Sequence, residues 1–432
     1  MRDAYNKLRT NASPPLTYLA VTTDTNDHFA YITDPNQIDD HLINQWATIH
    51  DGQHHQAAAL KASYHDAYDH HTYHALPYHC TKINAQDLLD TFAESDPKAV
   101  GMDGWSLQEL RLITLPVAQH LADLLNTIEE GADWPHQLLH AKIHQQLKDP
   151  AKPRTALNHR GLTILVYLYR EWAKLRLKCL RPWIAMWDTP ELFAGVPGKG
   201  AEDAWYTTAI DIEHNQLQDI PMSGAAADMF KCFDQILLEL VTHILTAAGM
   251  PPSIISAYTR YITHLMYYNS LGTTIGKPHH HKCGIPQGCP FSMLIIALLL
   301  RPWILMMRQI PATPRLLADD ILVLTQGQHH EVLLHTALDA THLYIASIGG
   351  KIAPTKSYNF STNRKTRQRL RTRKWHNINS TIPVITNTRD LGSHINTTHR
   401  MVAPTATARP TTPPQQHLRL DTRPTPISKR RD

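Results

Sequence analysis

Cysteine is scarce in this 432-residue chain, and its scarcity limits the class of protein. The five cysteines are odd in number and scattered at Cys80, Cys179, Cys232, Cys283 and Cys289. Small secreted domains that depend on disulfides have dense and paired cysteines, so the sequence excludes that class. The first twenty residues also lack the apolar core of a secretory signal. We therefore expect a soluble intracellular protein, located in the nucleus if the source is a eukaryote.

Long apolar runs and an excess of one charge are also missing. The longest apolar run, Met293 to Leu300, ends at Arg301 and Pro302, whereas a transmembrane helix needs about 20 predominantly apolar residues. Lys and Arg total 42 against 38 Asp and Glu, a net charge of +4. Global charge therefore indicates neither a membrane nor a nucleic-acid partner.

The rest of the composition is that of a large folded protein with helices and strands. Apolar residues make up 42% of the chain and charged residues 19%, enough to bury a sizeable core. Residues 106–131 begin with a Ser-x-x-Glu capping box, and Pro116 predicts a division into two helices. Residues 224–228 predict a buried strand, and residues 315–327 predict a β-hairpin. Helical spacing recurs in four further segments, 162–180, 235–248, 252–268 and 331–348.

Acidic residues lie at both predicted strand segments. Asp319 and Asp320 stand between two apolar runs, where a hairpin turn normally has Asn-Gly or Asp-Gly. Asp228 ends the small-residue segment GAAAD. Close carboxylates repel each other, and a divalent cation would remove the repulsion. Two such acids could hold two metal ions for phosphoryl transfer, although a solvated acidic turn and an ordinary strand-end Asp would have the same sequence.

A loop rich in turn residues, GIPQGCPFS at 284–292, lies between these acids in the chain. Gly284 and Gly288 permit a positive φ or a close backbone approach, and Pro286 stiffens the loop. Gln287 offers an amide. Such a loop can lie against a base pair and a phosphate chain, but in isolation it identifies no function.

Taken in order, these segments resemble the motifs of reverse transcriptases, most closely those of non-LTR retrotransposons. The resemblance covers about residues 86–360, and several motifs in one order and spacing make it specific. The similar segments are DGWSLQEL (103–110), the fingers stretch 142–165, AAADMFKCFDQI (225–236), GIPQGCPFS, LLADDILVL (316–324) and GGKIAPTKSYNF (349–360).

The resemblance implies an α+β right-hand polymerase that is rich in helices and has an antiparallel palm sheet. The implied activity is RNA-directed DNA polymerase, with an RNA template, a DNA primer and deoxynucleoside triphosphates as partners. Neither a membrane nor a protein partner is implied. The implied domains are a lead-in of unclear role (1–85), fingers (86–220), palm (221–360), a basic partial thumb (361–401) and a disordered Pro/Thr/Arg tail (402–432).

The resemblance also assigns site residues. Asp228 and Asp319 would bind two Mg²⁺ ions, or Mn²⁺, with Asp320 as a supporting catalytic acid. Phe233 would lie under the incoming sugar, where a rigid ring excludes the 2′-hydroxyl that distinguishes ribonucleotides. Leu317 departs from the family pattern, which has an aromatic residue there. The remaining nucleotide contacts would come from Gln287, Gly288, Lys148, Lys356 and Arg160, the last followed by Gly161 where the family has a proline.

A basic run, RKTRQRLRTRK at 364–374, carries seven positive charges and no acid. Such a run suits the phosphate backbone of a duplex, and a solvated linker would have the same composition. The predicted nucleic-acid contacts are Arg364, Lys365, Arg367, Arg369, Arg371, Arg373 and Lys374.

Histidine is abundant, with 29 residues. The His-rich segments 54–80 and 279–283 each contain a cysteine, but their spacing matches no familiar zinc finger. Two other functions stay open, a degenerate nucleic-acid-binding polymerase fold and an RNA-dependent RNA polymerase. The three acids argue against the first. Phe233 argues against the second, because an RNA polymerase must admit the 2′-hydroxyl.

Overall fold

The structure is a computed structural model that describes residues 15–22, 29–390 and 393–397. The predicted disordered tail at 402–432 lies outside these residues, as does the end of the predicted partial thumb. The α-helices are α1 (Pro35–Asp51), α2 (Ala57–Tyr68), α3 (Ala85–Glu94), α4 (Leu107–Leu110), α5 (Leu115–Glu129), α6 (Tyr167–Trp187), α7 (Ala201–Leu217), α8 (Cys232–Gln235), α9 (Leu238–Ala247), α10 (Pro252–His264), α11 (Ser292–Gln309), α12 (His330–Ser347) and α13 (Arg364–Thr372). The strands are β1 (Leu19–Thr22), β2 (Phe29–Ile32), β3 (His140–Leu147), β4 (His159–Ile164), β5 (Met222–Asp228), β6 (Met266–Leu271), β7 (Thr274–Ile275), β8 (Thr313–Leu317), β9 (Asp320–Gln326), β10 (Tyr358–Ser361), β11 (Lys374–Trp375), β12 (Ser380–Thr381), β13 (Val384–Ile385), β14 (Asn387–Asp390) and β15 (Ser393–Asn396).

A five-stranded sheet, in the order β13-β10-β5-β9-β8, carries the predicted acids. β10, β5, β9 and β8 are antiparallel neighbours, and β13 pairs with β10 in parallel. The small residues of β5 permit close packing, because a Cβ on Gly224 would collide with the ring of Phe360 on β10. The strand predicted at 224–228 is confirmed, as part of a slightly longer one.

Both faces of this sheet are buried, which explains the continuous apolar run of β9. Ile321 and Val323 belong to the main core, in which α12 packs against β9 and α11 packs against β8. Leu322 and Leu324 belong to a separate cluster with Ile212 of α7. Successive side chains of a strand point to opposite faces, so each side of β9 must be apolar.

One described helix, α11, is long and apolar enough to cross a membrane by length and composition, and 67% of it is buried inside the protein. The helix continues through Arg301 and Pro302, the residues at which the uninterrupted apolar run of the sequence ends. The Arg301 guanidinium donates to the carbonyl oxygen of Trp187 at 2.8 Å. A mainly apolar helix that is covered by its own protein is a core helix.

A second sheet has the order β4-β3-β6-β7, with β3 and β4 antiparallel and β3 and β6 parallel. The helix predicted from 162 begins later, at Tyr167, because Leu162, Thr163 and Ile164 pair in β4; two of them are β-branched and favour a strand. The predicted helix 252–268 ends at His264 for the same pairing reason. Since β6 lies within the predicted palm segment, the predicted boundary at 220/221 does not separate the two sheets.

The helix pair predicted around Pro116 is confirmed. α4 ends before α5, and Pro116 lies in the first turn of α5. The backbone N–H of Ser106 donates to the Glu109 carboxylate at 2.7 Å, and the Glu109 N–H donates to Ser106 Oγ at 3.4 Å. The predicted capping box is therefore present.

The N-terminal lead-in packs on the second sheet through α1. The carboxylate of buried Asp39 accepts from Asn269 Nδ2 at 2.9 Å and from the Lys277 N–H at 2.6 Å. At the other end of α1, the His50 carbonyl accepts from the N–H groups of Lys282 and Cys283 at 3.1 and 2.8 Å. These bonds fix α1 to the segment that leads into GIPQGCPFS.

The imidazole of His281 stacks between two aromatic rings. Its centroid lies 3.5 Å from His50 and 3.7 Å from Tyr267. Within the part of the chain that the structure describes, no group of three or more His, Cys, Asp or Glu side chains is arranged to hold a metal ion.

Candidate active site

The predicted hairpin at 315–327 is confirmed, and its turn contains one of the two adjacent acids. Leu317 pairs with Asp320, which leaves Ala318 and Asp319 as the two turn residues. Ala318 has a φ of +57°, a left-handed conformation that costs a non-glycine residue about 1 kcal/mol. A positive φ in a two-residue turn matches the twist of the flanking strands, and here it places Asp319 at the tip.

The end of β5 holds Asp228 beside this turn, because Asp228 pairs directly with Asp320 of β9. The Asp228 N–H donates to Ser357 Oγ at 3.0 Å, and its carbonyl accepts from the Ala353 N–H at 2.9 Å. The loop of residues 349–357 thus fixes the backbone of Asp228. The carboxylate is less well satisfied: Oδ1 is buried without a hydrogen bond, and Lys356 Nζ lies 3.6 Å from it.

The acids repel each other across the strands. Burial raises the pKa of Asp319, the negative charge of Asp228 raises it further, and Arg160 and Lys356 act in the opposite direction. Asp320 is exposed and lines a neighbouring cavity of about 200 Å³, which Asp228 also lines. The like charges at the end of β5 and in the β8–β9 turn therefore lower the stability of the fold.

One cavity collects most of the predicted catalytic and nucleotide-binding residues. It has a volume of about 260 Å³ and lies between the end of β5, the β8–β9 turn and the β3–β4 hairpin. Gly288 and Asp320 do not line it, but each adjoins a residue that does. The predicted residues that line it are Asp228, Asp319, Phe233, Gln287, Lys148, Arg160 and Lys356.

The GIPQGCPFS loop is attached to α8 and to β4. Gln287 Nε2 donates to Asp234 Oδ2 at 3.0 Å, and the Gln287 carbonyl accepts from the Thr163 N–H of β4 at 2.9 Å. Gly288 has a φ of +138°, and a Cβ there would collide with the Thr163 carbonyl oxygen. Burial raises the pKa of Asp234 to about 6, against the charge of Lys231 and the hydrogen bond from Gln287. Sequence reasoning missed Asp234.

The β3–β4 hairpin supplies the two predicted fingers cations. Lys148 follows β3 directly, and its N–H donates to the Asn158 carbonyl at 2.9 Å. Arg160 lies on β4 opposite Gln146. Both cationic side chains are exposed. Gly161 fits its place, since a Cβ would lie 3.0 Å from Ile143 Cγ2, so the departure from the family's proline does not turn Arg160 away from the cavity.

Among the unpredicted residues that line the cavity are Trp46 and Lys231. Trp46 comes from α1, in the lead-in that had no assigned role. Its sequence surroundings contain no motif, so only the three-dimensional fold reveals it. Lys231 lies inside AAADMFKCFDQI, three residues after Asp228, and a charged residue among buried motif positions was an available signal.

The basic run forms α13 and the strand that follows, away from the cavity residues. Three of its cations have partners within the protein: Arg369 pairs with Glu331, Arg367 donates to the carbonyls of 361 and 362, and Arg373 lies 3.9 Å from Asp339. The four others are exposed at Arg364, Lys365, Arg371 and Lys374.

The acids fit a divalent cation. Asp228 has a buried carboxylate oxygen without a hydrogen-bond donor, and the ionised form of Asp319 is disfavoured by burial and by Asp228. A divalent cation between them would satisfy both. Mg²⁺ is commonly bound by one or two carboxylates, with water and substrate phosphates as its other ligands, so two protein acids suffice.

A comparison with known protein families shows which family the chain belongs to. A family model described as reverse transcriptase (RNA-dependent DNA polymerase) matches residues 150–380, more than half of the chain. No curated protein sequence matches the chain. The family has a right-hand polymerase fold, with which the mixed helix-and-sheet architecture is compatible, and it uses nucleic-acid template, primer, nucleotides and divalent metal ions. The chain belongs to the reverse transcriptase family, and it is an RNA-directed DNA polymerase, a nucleotidyltransferase.

Proposed function

We propose that the cavity beside Asp228 and Asp319 is the polymerase site, and that the chain derives from a non-LTR type of retroelement. One observation carries the site assignment: acids, an aromatic ring and several cations from segments far apart in the sequence line a single cavity of about 260 Å³. This volume is near the lower end for small-molecule sites. The retroelement origin rests on the resemblance of the sequence motifs.

Asp228 and Asp319 are the proposed ligands of two Mg²⁺ ions, for which Mn²⁺ could substitute. When bound, these ions activate the primer 3′-hydroxyl and stabilise the charge on the leaving pyrophosphate. The buried Oδ1 of Asp228, which accepts no hydrogen bond, supports this role. Asp320 would act as a supporting acid, because it lies opposite Asp228 on the adjacent strand.

The cations would hold the triphosphate. Arg160 can present its planar fork to phosphate oxygens, and Lys148 and Lys356 add positive charge on either side of the acids. Lys356 Nζ lies 3.6 Å from Asp228 Oδ1. If a metal bound this carboxylate, the ammonium group of Lys356 would be free to contact a phosphate instead. Positioning and fixed charge of this kind account for most of the catalysis in phosphoryl transfer.

Phe233 and Gln287 would define the sugar and base side of the nucleotide. Phe233 is half-buried and lines the cavity five residues after Asp228. Its ring offers a 2′-hydroxyl no hydrogen bond and leaves it no space. Asp234 orients the side-chain amide of Gln287 through its Nε2 group. The side-chain oxygen, Oε1, would then be available to the nucleotide.

The assignment of the acids is tested with Asp228→Asn and Asp319→Asn. We expect either change to lower primer extension on an RNA template with Mg²⁺ by roughly 1000-fold or more, because the metal would lose an anionic ligand. Asp319 has a raised pKa, so its ionised form lowers stability at neutral pH. Asp319→Asn should therefore leave the melting temperature unchanged or higher.

Asp339→Asn is the matched control, since Asp339 lies beside Arg373 and outside the cavity. It should retain extension. Binding of the template–primer duplex should be similar in all three variants. Near wild-type synthesis by Asp228→Asn or Asp319→Asn would show that the metal ligands lie elsewhere.

A further inference from the structure

Lys231 occupies an unusual place between the proposed metal ligand and the proposed sugar gate. It has a φ of +48° and directly precedes α8, so the chain adopts a left-handed conformation at a lysine. Its half-buried side chain lines the cavity. Among the described residues, no carboxylate oxygen lies within 4.0 Å of its ammonium group. The protonated form of a lysine in this position is unfavourable without a counter-ion, so the position points to an anionic ligand.

Contacts from two other segments hold this ammonium group. Nζ lies 3.8 Å from the centroid of the Trp46 ring, an arrangement in which the negative face of the ring attracts the cation. Nζ also donates to the carbonyl oxygens of His159 and Leu157 at 3.3 and 3.4 Å. These contacts orient the group, but none of them neutralises its charge.

Trp46 is itself held firmly. It is 5% exposed, and its indole N–H donates to the Ala156 carbonyl at 3.3 Å. The rest of α1 is fixed through the buried carboxylate of Asp39. Trp46 therefore presents a rigid ring to Lys231, although α1 lies outside the matched family segment, residues 150–380.

The surrounding charges indicate what Lys231 would bind. Burial and the neighbouring cations Lys148 and Lys356 lower the pKa of Lys231 to about 6, against the charge of Asp234. When Lys231 is protonated, the cations Lys148, Arg160, Lys231 and Lys356 outnumber the acids that line the same cavity, Asp228, Asp234 and Asp319. With divalent cations on the acids the excess becomes larger, so a polyanion is the ligand that balances this cavity.

We infer that Lys231 binds the triphosphate of the incoming nucleotide and that Trp46, supplied by the N-terminal lead-in, is the residue that positions its ammonium group. This inference rests on the proposed function, because it takes the cavity as the nucleotide site. It gives the lead-in a role in nucleotide binding.

The alternative is that Lys231 is only a structural link between α8 and the β3–β4 hairpin. The two roles predict opposite changes in stability. The pKa of a lysine is about 10.4 in the unfolded chain, so between pH 6 and 10.4 the unfolded state binds more protons, and Lys231 lowers the stability of the fold. Replacing the titrating amine by Lys231→Met should leave the melting temperature of the ligand-free chain unchanged or raise it at neutral pH, whereas losing a structural link would lower it.

Single-nucleotide primer extension and calorimetry with inorganic tripolyphosphate, both on the full chain, test the inference. Lys231→Met should raise the KM for the deoxynucleotide and the Kd for tripolyphosphate by roughly 10- to 100-fold, the loss expected for one charge-assisted contact. The kcat should change less. Lys231→Arg should recover part of both affinities. Lys351→Met is the matched control, because Lys351 is exposed and does not line the cavity.

Trp46 is tested by the same measurements. Trp46→Leu should weaken both affinities in the wild-type background and change neither in the Lys231→Met background, and Trp46→Phe should lose less. Unchanged KM and Kd in Lys231→Met would overturn the inference while leaving the proposed polymerase site intact. So would a lowered melting temperature with equal losses of every activity. A wild-type chain that binds tripolyphosphate through Lys231 but extends no primer would instead contradict the proposed function alone.

Discussion

Two regions concentrate charge of one sign, and they compensate it differently. The first is the sheet edge, by which we mean the end of the five-stranded sheet at Asp228, Asp319 and Asp320. The second is the basic helix α13. At the sheet edge, Asp228 Oδ1 is buried without a hydrogen bond, and Asp319 has a raised pKa. On α13, Arg369 pairs with Glu331, and the hydrogen bond from Arg369 lowers the pKa of that carboxyl. The acids at the end of β5 and in the β8–β9 turn are only partly compensated, by Lys356 at 3.6 Å from Asp228, whereas part of α13 stabilises its own fold.

This difference separates charge that serves function from charge that serves the fold. Around one cavity, a buried carboxylate oxygen without a hydrogen bond, on Asp228, occurs together with two non-glycine residues of positive φ, Lys231 and Ala318. Such features persist only where the surrounding structure enforces them, and they are concentrated at functional sites. In the basic run, charge alone does not distinguish the two roles.

The largest effect predicted from this comparison concerns Phe233, on the side of the sheet edge. Phe233→Val should open space for a 2′-hydroxyl. Relative to the matched deoxynucleotide, kcat/KM for a ribonucleotide should rise on the order of 100-fold, equivalent to about 3 kcal/mol of lost steric and desolvation penalty. Steady-state kinetics with both nucleotides on one RNA template would measure the ratio.

Phe230→Val is the matched control for that change. Phe230 lies in the same segment, but it packs against the apolar cluster around α1 and does not line the cavity. It should lower stability and both activities without changing the ratio. If Phe233→Val also left the ratio unchanged, Phe233 would be a packing residue of α8 and the sugar-gate assignment would be wrong.

A smaller effect is expected from α13, where the two kinds of cation can be separated. Neutralising the exposed set (Arg364, Lys365, Arg371 and Lys374) to glutamine should weaken template–primer binding. It should also reduce the slope of log affinity against log salt by about 0.9 for each lost duplex contact, or about 0.7 for a single strand. The melting temperature should change little, because these side chains are exposed.

The internally partnered set (Arg367, Arg369 and Arg373) should behave in the opposite way. Changing these to glutamine removes the contacts to Glu331, to two backbone carbonyls and to Asp339, so stability should fall while the salt slope changes little. An equal salt slope in the exposed-set variant and the wild type would leave the whole run as a solvated, structural element.

Much of the central sheet and its acids could be predicted from the sequence, because their patterns are local. The GAAAD strand, the LLADDILVL hairpin and the Ser106 capping box each depend on residues within a few positions of one another. The helix predicted from 162 was placed too early because β4 exists only through pairing with β3, which is a contact between separate segments. Pairing between separate segments also joins β6 to β3, so the predicted boundary at 220/221 does not separate the two sheets.

The sequence also predicted only part of the site. Asp228, Phe233 and Asp319 were named because they stand in motifs, and the cavity brings them together. Trp46 was missed because its position at the cavity depends on the docking of α1 through Asp39 onto β6 and the segment after β7, about 230 residues later in the chain. The division of the basic run could not be foreseen either, because Glu331 and Asp339 lie on α12 and not in the run.

The smallest predicted effect would sharpen the comparison at its most strained point, Ala318. Ala318→Gly should relieve about 1 kcal/mol of left-handed strain, but the glycine also makes the unfolded chain more flexible by roughly 0.5–1 kcal/mol. The net change in unfolding free energy should therefore be near zero or slightly positive.

Ala226→Gly is the matched control, because Ala226 lies within β5 of the same sheet without a positive φ. It should lose the full 0.5–1 kcal/mol or so. Denaturant unfolding of both variants measures the difference. If the strain also fixes Asp319 for metal binding, Ala318→Gly should lower kcat a few-fold at unchanged stability. Equal destabilisation by the two glycines would show that the turn stores no strain.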